Sequence, residues 1–329
     1  MAILPKFLQK NDTIALVAPA KKTDISIVEN ARKHFENWGL QVIVGDSATA
    51  SFHQFSGDDD VRTQDFQTQL DNPNIKAIIC LRGGYGSVRI IDQLDFSEFV
   101  KHPKWIVGYS DVTVIQNHIL KNYGIASLHA EMPLKLPVFD TDCKSAPAGA
   151  STPLSDQSDM VIERSRNANV SLNALKNALF GTFEPFQLQP NSLNKFGSAK
   201  AELVGGNLAI LCNLLGSVSE IDTRGKILFL EDIGEYLYAI DRMMMTLKRA
   251  GKLNQLAGLV IGQFTDLKDN DIPFGKTAYE IIAEQVAVYD YPVLFDVPAG
   301  HGEINKPLIF GAVYTMEITK KSTIFNVSV

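Results

Sequence analysis

The sequence predicts an α/β protein with two domains built on parallel sheets. Its opening alternates between short runs rich in β-branched residues, at 13–18 and 40–44, and a helical pattern at 25–38. Strand–helix–strand units of this kind build parallel sheets with crossover helices. The alternation continues along the chain, and 329 residues suffice for two domains. A segment at about 137–169, rich in Ser, Asp, Pro and Ala and without periodicity, is expected to be a linker or loop.

Composition excludes several classes of function. Apolar residues make up 45% of the chain, charged residues 21%, and the formal net charge is −6. The negative charge argues against nucleic-acid binding, and no basic run suggests contact with a membrane surface. The N-terminus lacks the long apolar segment of a signal peptide, and no stretch is long enough to span a bilayer. We therefore expect a cytoplasmic protein.

Neither a metal site nor a cofactor is expected. The cysteines, at 80, 143 and 212, are scattered, and Cys80 and Cys212 lie in apolar runs typical of buried thiols. The chain contains no Cys-x-x-Cys or His-Glu-x-x-His pattern. The glycine-rich turn at 82–86 does not match a nucleotide-binding motif.

That turn, Arg82-Gly83-Gly84-Tyr85-Gly86, follows a predicted strand at 75–81. Glycines here serve either a tight turn or the close approach of backbone amides to a ligand at the carboxyl edge of the sheet. Helices are expected on either side of the strand and turn, at 61–70 and 87–94.

Ser110 stands between a predicted buried strand at 105–107 and a helix that begins at Asp111. A serine at such a turn has the geometry of a nucleophile elbow, with its following amide at a helix N-terminus. Val112 replaces the second glycine of the usual motif, and a helix cap is an equally good interpretation of Ser110 from this stretch alone.

The rest of the chain repeats the alternation. Further strands are expected at 126–129, 201–204, 226–230, 259–264 and 292–295, helices at 170–181, 208–215, 240–250 and 277–289, and a closing hairpin at 314–319 and 323–327.

A serine nucleophile requires a base and an orienting acid. His301, between glycines after a predicted strand, and His129, with Glu131 nearby, are the candidate bases. The other histidines are less suitable: His118 lies two turns beyond the serine on its helix, and surface positions are expected for His34, His53 and His102.

Glu231 is the candidate acid because it directly follows the apolar run at 227–230. Its neighbours Asp232 and Glu235 could instead cap the next helix or pair with Arg242. Spacing alone does not choose among them.

Five blocks of sequence together resemble one known family. They are residues 55–96, VGYSDVT, GGNLAIL, ILFLEDIGEYLYAIDRMM and VPAGHGEINKPLIFG, in that order. This set is similar to the LD-carboxypeptidase family of serine peptidases, which includes muramoyltetrapeptide carboxypeptidase and the microcin C immunity peptidase. The resemblance implies a flavodoxin-like parallel-sheet N-terminal domain (1–140), a linker with a helix (141–198) and a smaller C-terminal α/β domain (199–329).

The resemblance also implies a catalytic triad at the junction of the two domains. Ser110 matches the nucleophile, Glu231 the acid and His301 the base. The Asp111 N–H and a glycine N–H of the RGGYG loop, placed at Gly84, would receive the oxyanion. Arg82 is a candidate anchor for the substrate's terminal carboxylate, with a structural salt bridge as the alternative role.

The implied activity is metal-independent release of D-Ala from a murein tetrapeptide in peptidoglycan recycling. The alternatives are a microcin C immunity-like hydrolase acting on an aminoacyl-nucleotide amide, and a ligand-binding relative without catalysis. Members often form homodimers, so that assembly is an expected one. Many relatives have His-Gly-Pro-Met where this chain has His129-Ala130-Glu131-Met132, a departure that bears on substrate preference.

Overall fold

Two six-stranded sheets and nine α-helices make up the part of the chain that this computed structural model describes, residues 2–139, 156–186 and 188–328. The strands are β1 (Thr13–Val17), β2 (Gln41–Val44), β3 (Ile75–Cys80), β4 (Trp105–Gly108), β5 (Ser127–His129), β6 (Gly197–Asn207), β7 (Ile227–Ile233), β8 (Gly258–Thr265), β9 (Val293–Leu294), β10 (Leu308–Phe310), β11 (Val313–Ile318) and β12 (Thr323–Ser328). The helices are α1 (Ile25–Asn37), α2 (Asp59–Asp71), α3 (Ser87–Ile90), α4 (Ser97–Lys101), α5 (Thr113–Tyr123), α6 (Asp156–Leu179), α7 (Leu208–Asn213), α8 (Leu237–Arg249) and α9 (Ala278–Val286).

The first sheet has the order β10-β5-β4-β3-β1-β2, and the second β12-β11-β6-β7-β8-β9. Pairs within β1–β5 and within β6–β9 are parallel, which confirms the predicted α/β class. β10 is the exception in the first sheet: it comes from the last part of the chain and pairs antiparallel with β5. The predicted closing hairpin is present as β11 and β12. Within the described residues, no helix has both the length and the apolar character to cross a membrane.

The expectation of an irregular segment at 137–169 is wrong for its second part. α6 begins at Asp156, whereas the sequence predicted a helix only from 170. Residues 163–166 of this helix are exposed, so they carry no apolar stripe from which a helical period could be detected. Residues 140–155 of the segment, which include Cys143, lie outside the described residues. Of the two cysteines that are described, Cys80 is buried and Cys212 half-buried.

His34 is buried, contrary to the surface position expected for it, while His53 and His102 are exposed. Its Nε2 lies 2.8 Å from the Pro137 carbonyl oxygen, and its ring meets Phe139 edge-on at 5.0 Å between centroids. Burial lowers the pKa of His34. Because a carbonyl oxygen can only accept, Nε2 is the donor, and this hydrogen bond fixes the chain beyond β5 against α1.

The two sheets meet where α5 packs against the end of β6. The Asn117 side chain donates to the Gly205 carbonyl at 3.0 Å, and the Asn207 N–H donates to Thr113 Oγ1 at 3.2 Å. A Cβ placed on Gly206 would lie 2.5 Å from Thr113 Cγ2. Only a glycine lets the strand approach the helix this closely, so the relative position of the sheets depends on this contact.

Substitution of Gly206 by Ala should therefore destabilise the protein more than alanine at an open glycine that also has a positive φ. Gly206 (φ +136°) and Gly216 (φ +79°) both have positive φ, but nothing lies within 4 Å of a Cβ at Gly216. We expect Gly206→Ala to lower the free energy of unfolding by about 2–4 kcal/mol, and Gly216→Ala by about 1 kcal/mol. Urea denaturation measures both, and equal losses would show that the contact with Thr113 is not tight.

Candidate active site

Ser110 lies at a sharp turn between β4 and α5, as the sequence predicted. It is half-buried and has φ +64°, in the left-handed region that a residue with a side chain rarely adopts. A short 3₁₀ turn, Ser110–Val112, leads into the helix. Val112 does not prevent this turn, because its side chain packs against Gly108, which has no Cβ to obstruct it. Backbone strain of this kind is typical of functional sites.

The glycine turn after β3 lies directly against this serine. A Cβ on Gly83 would be 3.0 Å from Ser110 Cβ and 3.2 Å from the Asp111 nitrogen. Gly84 follows with φ +112°, and its N–H donates to no carbonyl or side chain among the described residues. The structure therefore places the glycine turn that contains Gly84 against the turn of Ser110 and Asp111, while the role of the Gly84 and Asp111 N–H groups as oxyanion donors stays a prediction. Gly83, which makes this approach possible, was missed because three glycines in one turn look alike in sequence.

The side chain of Asp111 has a separate, structural role. It is buried, and its Oδ2 accepts a 2.8 Å hydrogen bond from the Ser87 N–H at the start of α3. Burial raises the pKa of this carboxyl, and the hydrogen bonds that it accepts oppose the shift. Asp111 thus ties the serine turn to the helix that follows the glycine turn.

Glu231 and His301 form a close acid–base pair. His301 Nδ1 lies 2.6 Å from Glu231 Oε2, and the Glu231 side chain is fully buried. The register of β7 against β8 shifts between Leu230 and Asp232, so Glu231 sits at a β-bulge, a device that redirects a side chain. A Cβ on Gly300 would lie 2.7 Å from Glu231 Oε2, so a glycine is required where the histidine loop passes.

Tyr109 brings the histidine and the serine turn together. Its ring centroid lies 4.7 Å from that of His301, and it directly precedes Ser110. Because Nδ1 of His301 is held by Glu231, Nε2 is the nitrogen available to a serine hydroxyl. Within the described residues no hydrogen bond joins His301 to Ser110 in this structure, and such bonds commonly form only when a substrate is bound.

Two side chains for which the sequence predicted no role also support the histidine loop. Lys135, which is exposed, donates to the His301 and Gly302 carbonyls at 3.3 and 3.5 Å. Asn305 Oδ1 accepts a 2.9 Å hydrogen bond from the Gly300 N–H and so fixes the start of the histidine loop. No local pattern marks either residue, because each acts on a carbonyl or amide that lies elsewhere in the chain.

His129, the other candidate base, is fully buried against the rings of Tyr109, Phe229 and Phe310. Neither of its ring nitrogens has a hydrogen-bond partner among the described residues. Burial lowers its pKa to about 4, and the nearby Glu231 charge only partly opposes this. Glu131, the acid beside it in sequence, is also buried, and burial raises the pKa of that carboxyl.

Asp232 caps a helix, but the helix is α7, which precedes it in the chain, and not the next helix that the sequence suggested. Its Oδ1 accepts from the Asn207 side chain and its Oδ2 from the Ala209 N–H, both at 2.9 Å, at the start of α7. Burial, together with the neighbouring Glu231 charge, raises the pKa of Asp232 to about 7.

Arg82 makes no ion pair with any acid in the described part of the chain. Its Nη1 donates instead to the Lys22 carbonyl at 3.0 Å. The salt-bridge alternative for Arg82 therefore finds no support within these residues.

Comparison with known proteins assigns the family. Residues 14–130 match the model of the LD-carboxypeptidase N-terminal domain, and residues 200–316 match that of the LD-carboxypeptidase C-terminal domain. A probable murein peptide carboxypeptidase of Bacillus subtilis is 32% identical over 99% of this chain and 95% of its own length. The chain belongs to the LD-carboxypeptidase family. The murein tetrapeptide carboxypeptidase of Pseudomonas aeruginosa is 26% identical, over 92% of each chain.

Solved structures have a fold similar to that of this chain over nearly its whole length. A crystal structure of muramoyltetrapeptide carboxypeptidase from Oxalobacter formigenes superposes with a TM-score of 0.77 at 25% identity, over 96% of this chain and 99% of the other. MccF in complex with glutamyl sulfamoyl guanosine gives a TM-score of 0.81 at 18% identity, over 100% and 98% of the two chains. The second similarity establishes the fold alone.

The pKa of Asp232 predicts how stability depends on pH. In the folded state the Asp232 carboxyl keeps its proton up to about pH 7, whereas the ordinary pKa of an aspartate is 3.8. Between these values the folded state binds more protons than the unfolded state, so the contribution of Asp232 to stability is greatest below pH 4 and is lost as the pH rises through 7. Asp232→Asn should remove this decline, by up to about 1.4 kcal/mol per pH unit.

Urea denaturation between pH 4.5 and 7.5 measures the slope. Asp222→Asn is the matched control, because the Arg224 side chain lowers the pKa of Asp222 and its titration lies below this range. A slope that is the same in Asp232→Asn as in the unaltered protein would contradict the assignment.

Proposed function

We propose that the protein is a serine LD-carboxypeptidase that releases the terminal D-Ala from a murein tetrapeptide. The observation that carries this proposal is the 2.6 Å pair between His301 Nδ1 and the buried Glu231, next to the strained turn of Ser110. A nucleophile, a base and an acid that orients the base are the three parts of a serine hydrolase.

In the proposed reaction Ser110 Oγ attacks the carbonyl carbon of the bond before D-Ala, and His301 Nε2 accepts the hydroxyl proton. The resulting oxyanion accepts hydrogen bonds from the Asp111 and Gly84 N–H groups, each worth about 3–4 kcal/mol in such sites. The C–N bond then breaks, D-Ala leaves with the proton from His301, and the peptide remains as an ester on Ser110. Water, deprotonated by His301, hydrolyses this ester and restores the serine.

Glu231 would hold the imidazole in the tautomer that carries its proton on Nδ1, leaving Nε2 free to accept. Its negative charge also stabilises the imidazolium formed after the proton transfer. The reaction as written uses side chains and backbone amides only, so we propose that it proceeds without a metal ion.

The substrate is proposed from the relatives. The Pseudomonas aeruginosa protein is named a murein tetrapeptide carboxypeptidase, and the Bacillus subtilis protein a probable murein peptide carboxypeptidase. We accordingly propose a role in peptidoglycan recycling in the cytoplasm, with the murein peptide as the partner and neither nucleic acid nor a membrane required. The homodimer expected from the family resemblance is part of this proposal. The identity of the third residue, diaminopimelate or L-Lys, is left to the experiment.

A second candidate is the hydrolysis of an aminoacyl-nucleotide amide. It is favoured by the full-length similarity in fold to MccF, which has been solved with aspartyl sulfamoyl adenosine. Such a ligand calls for an aromatic side chain free to stack on its base. Phe139, an aromatic residue in the segment at 137–169, packs edge-on against His34 on α1. We therefore rank the murein peptide first.

The triad is tested by D-Ala release from diaminopimelate- and L-Lys-containing tetrapeptides with EDTA present. Ser110→Ala should lower kcat/KM by about 10³–10⁶-fold, because the nucleophile is removed. Glu231→Gln should lower it by about 10²–10⁴-fold, because the tautomer of the base is no longer fixed. Ser127→Ala, a buried serine on the neighbouring strand β5, is the matched control and should retain activity.

Release that persists in Ser110→Ala, or that EDTA abolishes, would contradict the proposed mechanism. If the unaltered protein releases D-Ala from neither peptide, the substrate assignment fails. Aminoacyl sulfamoyl nucleotides would then be the substrates to assay.

A further inference from the structure

A carboxypeptidase must recognise the free carboxylate of the residue that it releases. In an extended peptide that carboxylate lies one residue beyond the scissile carbonyl, so its anchor must lie beside the loop that receives the oxyanion. Arg82, the candidate from sequence, commits its Nη1 to the Lys22 carbonyl. That hydrogen bond holds the segment that contains Lys22.

The segment is residues 19–22, directly after β1, and each of its four carbonyl groups is hydrogen-bonded. The donors are Arg62 Nη1 to Pro19 (2.7 Å), the Ser56 N–H to Ala20 (3.1 Å), Ser56 Oγ to Lys21 (3.1 Å) and Arg82 Nη1 to Lys22 (3.0 Å). The Arg62 side chain is completely buried. A loop with every carbonyl satisfied in this way is a rigid base for the side chains that it carries.

Lys21 extends from this base across the glycine turn. A Cβ on Gly84 would lie 2.5 Å from Lys21 Cδ and 3.1 Å from its Cε, so the lysine stem covers the exposed glycine that carries one proposed oxyanion donor. The preceding residue, Gly83, touches Ser110. The half-buried Lys21 therefore lies against the same glycine turn that contacts Ser110, although it is distant from Ser110 in sequence.

The ammonium group of Lys21 has no acidic partner among the described residues. It takes part in neither an ion pair nor a hydrogen bond there, whereas Nζ of the next residue, Lys22, donates to Ser51 Oγ at 3.2 Å. The nearby arginine Arg62 is paired with Asp59. Lys21 thus brings an unneutralised positive charge to the oxyanion loop.

We propose that the Lys21 ammonium binds the terminal carboxylate of the substrate and so selects peptides with a free C-terminus. This inference rests on the proposed function. The stem is held against Gly84, so little side-chain freedom is lost on binding, and the pair formed is a charge-assisted hydrogen bond. Arg82 is then a positioning residue: it holds the Lys22 carbonyl and so fixes the segment that carries Lys21.

The experiment compares two substrates that differ only at the C-terminus, a murein tetrapeptide ending in D-Ala and the same peptide ending in D-alaninamide. Lys21→Met keeps the stem and removes the charge. We expect it to lower kcat/KM for the free acid by about 10- to 100-fold, mainly through KM, and to change that for the amide less than about 3-fold. Lys21→Arg should retain most activity on the acid.

Lys22→Met is the matched control, because it removes an adjacent lysine charge that points to Ser51, and it should leave both substrates unaffected. Equal losses on acid and amide in Lys21→Met would overturn the inference and assign the stem a supporting role for the Gly84 loop. No loss on the acid would also overturn it. If the unaltered protein cleaves neither peptide, the proposed function itself fails, and this inference fails with it.

Discussion

A carboxylate without solvent exposure, that of Glu231, is the constraint around which the site is built. Removing such a group from water is expensive unless a hydrogen-bonding partner compensates for it. His301 Nδ1 supplies that partner at 2.6 Å, while Glu231 Oε1 has none among the described residues. The pair therefore cannot separate without leaving the whole carboxylate unpaired. Gly300 makes room for it, and the bulge in β7 directs Glu231 toward it.

The pair is useful only if the second sheet holds it against the serine of the first. Two connections achieve this. α5, which begins just after Ser110, packs against the glycines at the end of β6. On the other side, the chain continues from His301 into the first sheet as β10. β5 lies between β10 and β4, the strand that ends at the serine turn. The base is thus anchored in both sheets, which explains why residues from distant parts of the sequence keep a fixed geometry.

The sequence predicted the elements whose signal is local. Buried parallel strands are continuous apolar runs, and the turn at Ser110 shows as a strand followed at once by a helix. β10 was missed because its three residues acquire their strand character from pairing with β5, across most of the chain. Gly83 and Lys21 were missed for a related reason. Their significance comes from contacts with Ser110 and Gly84, and such contacts leave no pattern in the neighbouring residues.

The surroundings of Glu231 and Asp232 explain why Glu231 is the acid of the proposed triad. The two are adjacent and both buried, but Asp232 accepts hydrogen bonds from the Asn207 side chain and the Ala209 N–H, and neither donor carries a charge. Glu231 faces His301, which becomes cationic during the proposed reaction and can then balance a negative charge. Burial, together with the neighbouring Glu231 charge, raises the pKa of Asp232 to about 7, so this carboxyl keeps its proton below neutral pH. Below neutral pH the proton on Asp232 therefore keeps a second negative charge away from the pair that Glu231 forms with His301.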